Sequence, residues 1–393
     1  MNQTRKVILT VGFLASVIST MSFAVLLTVP AFYDEEYVVV DTAKTTKEIS
    51  RARAETVGIL ATDTQHGVTK VKTNFVKAFV AGMKADNLII EKNQKYHAFC
   101  GNTPPPNCPP APNPNPNPNP NPNPQPGSQV EDWGYVKVQA PQAKPITRGA
   151  GVKVCVLDSG ASPHPDLKIA KVLSFVGDDG HDAVGHSTHV QGIIAAQDNG
   201  IGVVGIAPDV TLEAMKVLND RGSGDTNQIV QAMLATIQEG CQVVNMSLGG
   251  GGDSEAMRYA VGQMNAAGID LFMAAGNDSG RVNVPAKYAA QFPEHAFAIA
   301  ASDQNDKIAQ VSSRGPEIAF GAPGVRIYST LPVNGSQMGR NYGAADGTSM
   351  ATPVAVGVCA LRRAVGKACK DLATDQADPQ LGRGRVNALR SAS

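Results

Sequence analysis

Beyond residue 128 the chain alternates between two spacings of apolar residues. Val152 to Leu157 is a continuous apolar-rich run, Val190 to Ala196 has helical spacing, Leu212 to Leu218 reads as a strand and Ile229 to Ile237 as a helix. Val243 to Met246, Met257 to Met264 with apolar positions at i, i+3, i+4 and i+7, and Ile269 to Ala275 continue the rhythm strand, helix, strand. Runs apolar at every position need cover on both faces. The pattern therefore predicts an α/β fold with a doubly wound, mostly parallel sheet and helices on both sides. A further helical pattern, Val354, Val356, Val358 and Leu361, follows Gly347-Thr348-Ser349-Met350-Ala351-Thr352-Pro353. Ligands of such sheets sit outside the carboxyl ends of the strands, so the polar residues that end the strands carry the chemistry.

The first 127 residues have a different character. In residues 1–32, Arg5 and Lys6 precede an interrupted apolar run from Val7 to Phe32, followed by Asp34, Glu35 and Glu36. This reads as an export signal cleaved near Ser22-Phe23-Ala24 rather than a retained anchor, although about 26 residues suffice to span a bilayer. Residues 33–99 form a small mixed segment: a strand at Tyr37 to Val40, a charged helical stretch around Ile49 to Leu60, then apolar residues near Val71 to Val80. So little apolar material gives marginal stability alone. Residues 100–127 are dominated by an Asn-Pro repeat, which forbids helix and sheet ladders and favours an extended spacer of about 3.1 Å per residue. Residues 128–393 remain as the globular domain.

Composition narrows the function classes. Of 393 residues 42% are apolar, enough for a substantial core, and the 34 basic residues balance the 34 acidic ones. Nothing in that balance points to nucleic acid. Six cysteines in an exported chain permit disulfides. Cys100 and Cys108 flank a Pro-rich stretch and are candidates to pair; Cys155, Cys241 and Cys359 read as small buried hydrophobes, and Cys369 has no assignment.

Four polar residues stand at the expected sheet edge. The first strand ends in Asp158, His186 opens the following helical run, Ile269 to Ala275 is followed by Gly276-Asn277, and Ser349 precedes the last apolar helix. Each has an ordinary reading, as a turn or cap aspartate, a structural histidine, a turn asparagine and a helix-entry serine. Together they fit a demanding chemistry. Ser349 is a weak nucleophile until His186 takes its proton, and Asp158 fixes the tautomer of His186. The Asn277 side-chain amide and the Ser349 backbone N–H then hold the oxyanion.

With those residues in hand the chain resembles a subtilisin-like serine protease, a subtilase of the peptidase S8 family. The order Asp, His, Ser fits, and four blocks match the family's motifs: Val156-Leu157-Asp158-Ser159-Gly160, His186-Ser187-Thr188-His189-Val190, Ala275-Gly276-Asn277 and Gly347-Thr348-Ser349-Met350-Ala351-Thr352-Pro353. The similarity runs from about Gln129 to Ala388. Two positions depart from the pattern, Ser187 where the family has Gly and Thr352 where it has Ser. Ser187 is expected to add bulk beside the imidazole and narrow the site.

The resemblance implies a secreted serine endopeptidase acting as a monomer on protein or peptide substrates. Substrate would lie between two backbone edges, Gly222-Ser223-Gly224 and Ser247-Leu248-Gly249. Ala274, Ala275 and Gly276 would wall a roomy pocket, with Asn283 near its base, for a large apolar or aromatic side chain before the cut bond, and Val284-Pro285 matches a cis proline. It further implies a structural Ca²⁺ held by Gln129, Asp166 and Asn199 with the carbonyls of Gln197, Ile201 and Val203. Residues 33–99 resemble, weakly, an inhibitory propeptide. Val76 to Ala81 would form a packing strand and Lys95-Tyr96-His97-Ala98-Phe99 a tail in the active site, cut after Phe99 or, second, near Gln129. Three rivals are a catalytically impaired subtilase-like surface binding protein, an α/β-hydrolase using Ser187 or Ser247, and a metal hydrolase using His181, His186 and His189.

Overall fold

Continuous apolar runs become the central strands of one sheet in the computed structural model, which describes residues 36–41, 59–63, 68–72, 88–98, 129–250, 252–333 and 341–393. The export-signal run, Val76 to Ala81, Phe99, the Asn-Pro repeat, Cys100 and Cys108 lie outside the described residues. The chain divides into two compact units, Met1–Lys92 and Asn93–Ser393.

In the first unit, β1 (Glu36–Asp41), β2 (Ile59–Asp63), β3 (Val68–Lys72) and β4 (Leu88–Lys92) form an antiparallel sheet in the order β2-β3-β1-β4. The strand expected at Tyr37 to Val40 is β1. Leu60, expected to end a helix, lies instead in β2, at the irregularity in its register with β3 between Ile59 and Ala61.

The second unit opens with β5 (Lys95–Ala98) and β6 (Gln129–Val130), then the short helices α1 (Trp133–Lys137) and α2 (Ala140–Ala143). There follow β7 (Lys153–Asp158), β8 (Ile169–Ser174), α3 (His186–Ala195), β9 (Gly202–Val203), β10 (Thr211–Lys216), β11 (Ser223–Asp225), α4 (Thr226–Gln238), β12 (Val243–Met246), β13 (Leu248–Gly250), α5 (Glu255–Ala266) and β14 (Asp270–Ala274). The chain closes with β15 (Ala296–Ser302), β16 (Ile318–Pro323), β17 (Ile327–Thr330), β18 (Tyr342–Ala345), α6 (Thr348–Ala364), β19 (Thr374–Asp375), β20 (Arg385–Val386) and α7 (Ala388–Ala392). The large sheet runs β19-β20-β16-β15-β14-β12-β7-β10-β8 and is parallel except at β19. This is the doubly wound α/β architecture expected from the two spacings.

The core explains why the strands are apolar throughout. Phe272, Phe297 and Phe320, on neighbouring strands, form a tilted row with centroids 5.0 and 5.7 Å apart. Helix α6 is buried from Thr348 to Leu361, with Val354, Val358 and Leu361 in the same core cluster as the phenylalanines. A helix covered on all sides holds its first turn in a fixed place, and that turn carries Ser349.

The cysteine reading is corrected. Cys155, Cys241, Cys359 and Cys369 are all buried, as small hydrophobes would be, but they form two disulfides, Cys155–Cys241 and Cys359–Cys369. The first joins β7 to the entry of β12, its partner in the sheet, over a sequence separation of 86; the second ties α6 to the turn after it over a separation of 10.

Candidate active site

Asp158 ends β7 at the carboxyl edge of the sheet and is fully buried. Its two carboxylate oxygens lie 2.8 and 2.9 Å from His186 Nδ1, and Ser159 N donates to Oδ1 at 2.7 Å. The carboxylate thus accepts from the imidazole on one side and the backbone on the other, which orients the ring. His186 is the first residue of α3, after Gly185 in the left-handed region, and no side chain at the cap position satisfies the helix start. Asp182 supplies that role. Its Oδ1 accepts from Val184 N, Gly185 N and the Ser159 hydroxyl, and its Oδ2 from Thr188 N and the Thr188 hydroxyl. A second buried aspartate therefore fixes the helix that carries the histidine.

Ser349 lies in the first turn of α6. Pro353, four residues on, has no N–H to donate to the Ser349 carbonyl, so that carbonyl needs another donor. The Ser247 hydroxyl provides it at 2.9 Å, while the Ser349 hydroxyl donates to the Ser247 carbonyl at 3.0 Å. Asn277 presents its amide beside this turn: its Oδ1 accepts from Thr348 N and the Thr348 hydroxyl, both at 2.9 Å. A flipped amide would face two donors with a donor, so Oδ1 is the atom on Thr348 and Nδ2 the one left for the expected oxyanion. Gly347, at φ 139°, is required here, since a Cβ would come within 2.5 Å of Asn277 Nδ2.

The two backbone edges expected to hold substrate are β11 and β13, with Gly222 and Ser247 at their approaches. Both are paired with β5, antiparallel on each side. His97 stands opposite Ser223 and Gly249, Tyr96 opposite Gly224 and Gly250, and Ala98 opposite Leu248, with Ala98 N donating to the Gly222 carbonyl at 3.1 Å. Tyr96 and Ala98 are buried, and His97 Nδ1 is 2.8 Å from the Ser223 hydroxyl. Ala274, Ala275 and Gly276 are all at the carboxyl end of β14; Asn283 N donates to the Ala275 carbonyl, and a Cβ on Gly276 would meet Asn283 Nδ2 at 2.5 Å. The Val284–Pro285 bond is cis.

The Ser187 hydroxyl accepts from Gln191 Nε2 at 2.8 Å, one helical turn on, and the residue is fully buried. His186 is directed to Asp158, His189 to the Gly343 carbonyl and His181 to Ser162, so the three histidines share no ligand position. Ser187 within a helix and Ser247 between two strands both lack the strand-to-helix elbow of an α/β-hydrolase.

A second group of residues meets at the loop that follows the carboxyl end of α3. Gln129 Nε2 lies 2.7 Å from the Gln197 carbonyl and 3.0 Å from the Val203 carbonyl, and β6 pairs with β9. Asp166 is fully buried; its Oδ2 accepts from Val203 N at 2.9 Å, and its Oδ1 has no partner. Burial pushes its carboxyl up to about 6. Asn199 Oδ1 accepts from Ile201 N at 3.1 Å, and Ile201 is exposed on the loop.

Sequence reasoning missed Asp182, Thr348 and the hydroxyl of Ser247. Asp182 stands three residues before the N-cap Gly185, outside the position where a capping side chain is ordinarily sought, so the sequence carried no signal for it. The Ser247 role follows from Pro353, which leaves a carbonyl in want of a donor.

Comparison with known proteins agrees with this geometry. A model of the subtilase family matches residues 149–373. The thermostable alkaline protease of Halalkalibacterium halodurans is 43% identical over 240 residues, which is 60% of this chain and 63% of that protein. Subtilisin Savinase of Lederbergia lenta is 42% identical over 239 residues, 60% of this chain and 84% of its own, and subtilisin DY of Bacillus licheniformis is 44% identical over 233 residues, 57% and 80%. The chain thus spans under two thirds of the first of these relatives and four fifths or more of the other two. Since the family model covers more than half of the chain and the four motif residues are set around one sheet edge, the chain belongs to the subtilase family.

Proposed function

We propose that the chain is an exported serine endopeptidase made as a precursor whose own segment occupies the cleft until it is cut. The observation that carries this reading is β5, a strand held antiparallel on both sides by the edges a substrate would use. Phe99 is the next residue in sequence after Ala98, the last of that strand. Cleavage after Phe99 is the first expectation, and a large apolar or aromatic residue before the cut bond is the matching preference.

In the proposed reaction the Ser349 hydroxyl leaves the Ser247 carbonyl, gives its proton to His186 Nε2 and attacks the peptide carbonyl carbon. Asp158 stabilises the imidazolium through Nδ1–H, and Asn277 Nδ2 with Ser349 N–H holds the oxyanion. His186 returns the proton to the leaving amine, and water, activated by the same imidazole, hydrolyses the acyl-enzyme. The rival reading of an impaired binding protein rested on Ser187, whose hydroxyl is taken up by Gln191.

Calcium belongs to the same proposal. A buried carboxylate oxygen without a donor on Asp166, beside the carbonyls of Gln197 and Val203, suits a hard cation with oxygen ligands. Turning the Gln129 amide by half a turn would present its oxygen with Asn199 Oδ1 and the Ile201 carbonyl. The ion would tie the loop 197–203 to β6. Export follows from the terminal run, and no described helix is long and apolar enough to cross a membrane.

The test compares the full chain with Ser349→Ala on casein and on a Phe-containing peptide, with a serine-directed covalent inhibitor as control. Loss of cleavage in the variant and after inhibition is expected; equal cleavage by both proteins refutes the reading. Sequencing the new amino terminus decides between a cut after Phe99 and one near Gln129.

A further inference from the structure

The strand in the cleft does not end its contacts at Tyr96. Two residues further upstream, Gln94 is hydrogen-bonded through both its backbone and its side chain. Its backbone is held at both groups by one residue: Gln94 N donates to the Thr226 hydroxyl at 3.1 Å, and Thr226 N donates to the Gln94 carbonyl at 3.0 Å. Its side chain is held at both ends by backbone: Nε2 donates to the Asp253 carbonyl at 2.8 Å, and Oε1 accepts from Gly252 N. A carbonyl and an N–H from successive residues match the two ends of the Gln94 primary amide. Gly252 is part of the fit, because a Cβ there would stand 3.1 Å from Gln94 Oε1.

We infer that the cleft carries a sixth upstream subsite, built from Thr226, Gly252 and Asp253, that reads a side-chain amide of glutamine length. This rests on reading β5 as a substrate strand cut after Phe99, which makes Gln94 the sixth residue before the cut. Thr226 anchors any backbone at this point; the Gly252–Asp253 pair selects the side chain. Methionine of equal length leaves the carbonyl and the N–H of the pair to water. Glutamate keeps one bond and sets its second oxygen against the Asp253 carbonyl. The position lies far from the reacting carbonyl, so discrimination acts on binding of the ground state and transition state alike and is read in KM.

The processed enzyme, prepared from the full chain, is assayed with fluorogenic peptides that keep Lys-Tyr-His-Ala-Phe before the cut and carry Gln, Met or Glu at the sixth place. KM is expected to be about 5- to 10-fold lower for Gln than for Met, with Glu no better than Met and kcat alike within about twofold. Thr226→Val raises KM by a similar factor for all three. In a separate arm, hydrogen exchange is followed in the full chain carrying Ser349→Ala. Adding Gln94→Met there is expected to speed exchange of Gly252 N–H by about tenfold while Thr226 N–H keeps its rate within about twofold. Equal KM for Gln and Met, or an unchanged Gly252 rate, overturns the inference. If no peptide is cut but the Gly252 rate rises as expected, the subsite stands and the endopeptidase reading falls instead.

Discussion

On the proposed reading, Thr348→Val tests whether the oxyanion donor Asn277 is oriented from the residue next to the nucleophile Ser349. In the wild type the Thr348 hydroxyl and N–H both donate to Asn277 Oδ1 at 2.9 Å, and the hydroxyl also accepts from Gly276 N at 3.2 Å. Valine keeps the shape and the backbone N–H but removes the hydroxyl. One of the two bonds from Thr348 to Asn277 Oδ1 is lost, at about 1 kcal/mol, which corresponds to about a fivefold fall in kcat with KM little changed. Removing the donor itself with Asn277→Ala should cost about 2.7–4 kcal/mol, the range found when a single oxyanion donor is deleted from a subtilisin. The decisive assay is the double-mutant cycle on kcat, with active sites counted by a covalent serine inhibitor so that misfolded protein does not enter the rate. If Thr348 acts through Asn277, Thr348→Val should change kcat by less than about twofold once Asn277 is alanine. An equal fivefold loss in both backgrounds, or a loss carried by KM alone, refutes the reasoning.

Three further outcomes are expected. Replacing Cys155 and Cys241 by serine should destabilise by about 4–5 kcal/mol on the chain-entropy estimate for a separation of 86, and replacing Cys359 and Cys369 by about 3 kcal/mol for a separation of 10; denaturant unfolding ranks them, and the reverse order contradicts the estimate. A chelator should lower the melting temperature of the wild type and leave that of Asp166→Asn unmoved; a wild-type curve indifferent to both chelator and added calcium excludes the ion. His189 is fully enclosed, and burial pushes its imidazole down to about 4. Its folded pKa is below the unfolded value, so its contribution is complete above about pH 6.5 and is lost as pH falls toward 4, by about 3 kcal/mol in all. Because the raised carboxyls of Asp132 and Asp166, each about 6, act in the opposite sense, the measurement is the stability of wild type minus that of His189→Gln at both pH values. A difference that stays constant across the window removes His189 from the account.

The sheet was legible because its strands are buried on both faces, so Val152 to Leu157 and Val243 to Met246 stand out without alternation. Asp158, His186, Asn277 and Ser349 were legible as residues that end strands or open helices, and became specific as ordered motifs. What stayed hidden depends on neighbours distant in sequence. Cys155 and Cys241 sit in unrelated apolar runs until β7 and β12 are placed side by side. The bulk of Ser187 had a foreseeable presence and an unforeseeable direction, because Gln191 one turn on takes its hydroxyl. Leu60 was misplaced in a helix since a charged stretch with few apolar residues carries no firm period.

The pairing of β6 with β9 has a consequence for timing. In a single uncut chain Ala98 is already seated between β11 and β13 while Gln129 is already bonded to the carbonyls of Gln197 and Val203, with residues 99–128 between the two. On the proposed reading, the described strands of the nine-stranded sheet and the β6–β9 pair are already in place before that connection is cut. Activation is then a clock set by departure alone: the lag before activity equals the residence time of the severed tail, and each hydrogen bond along β5 and Gln94 lengthens it.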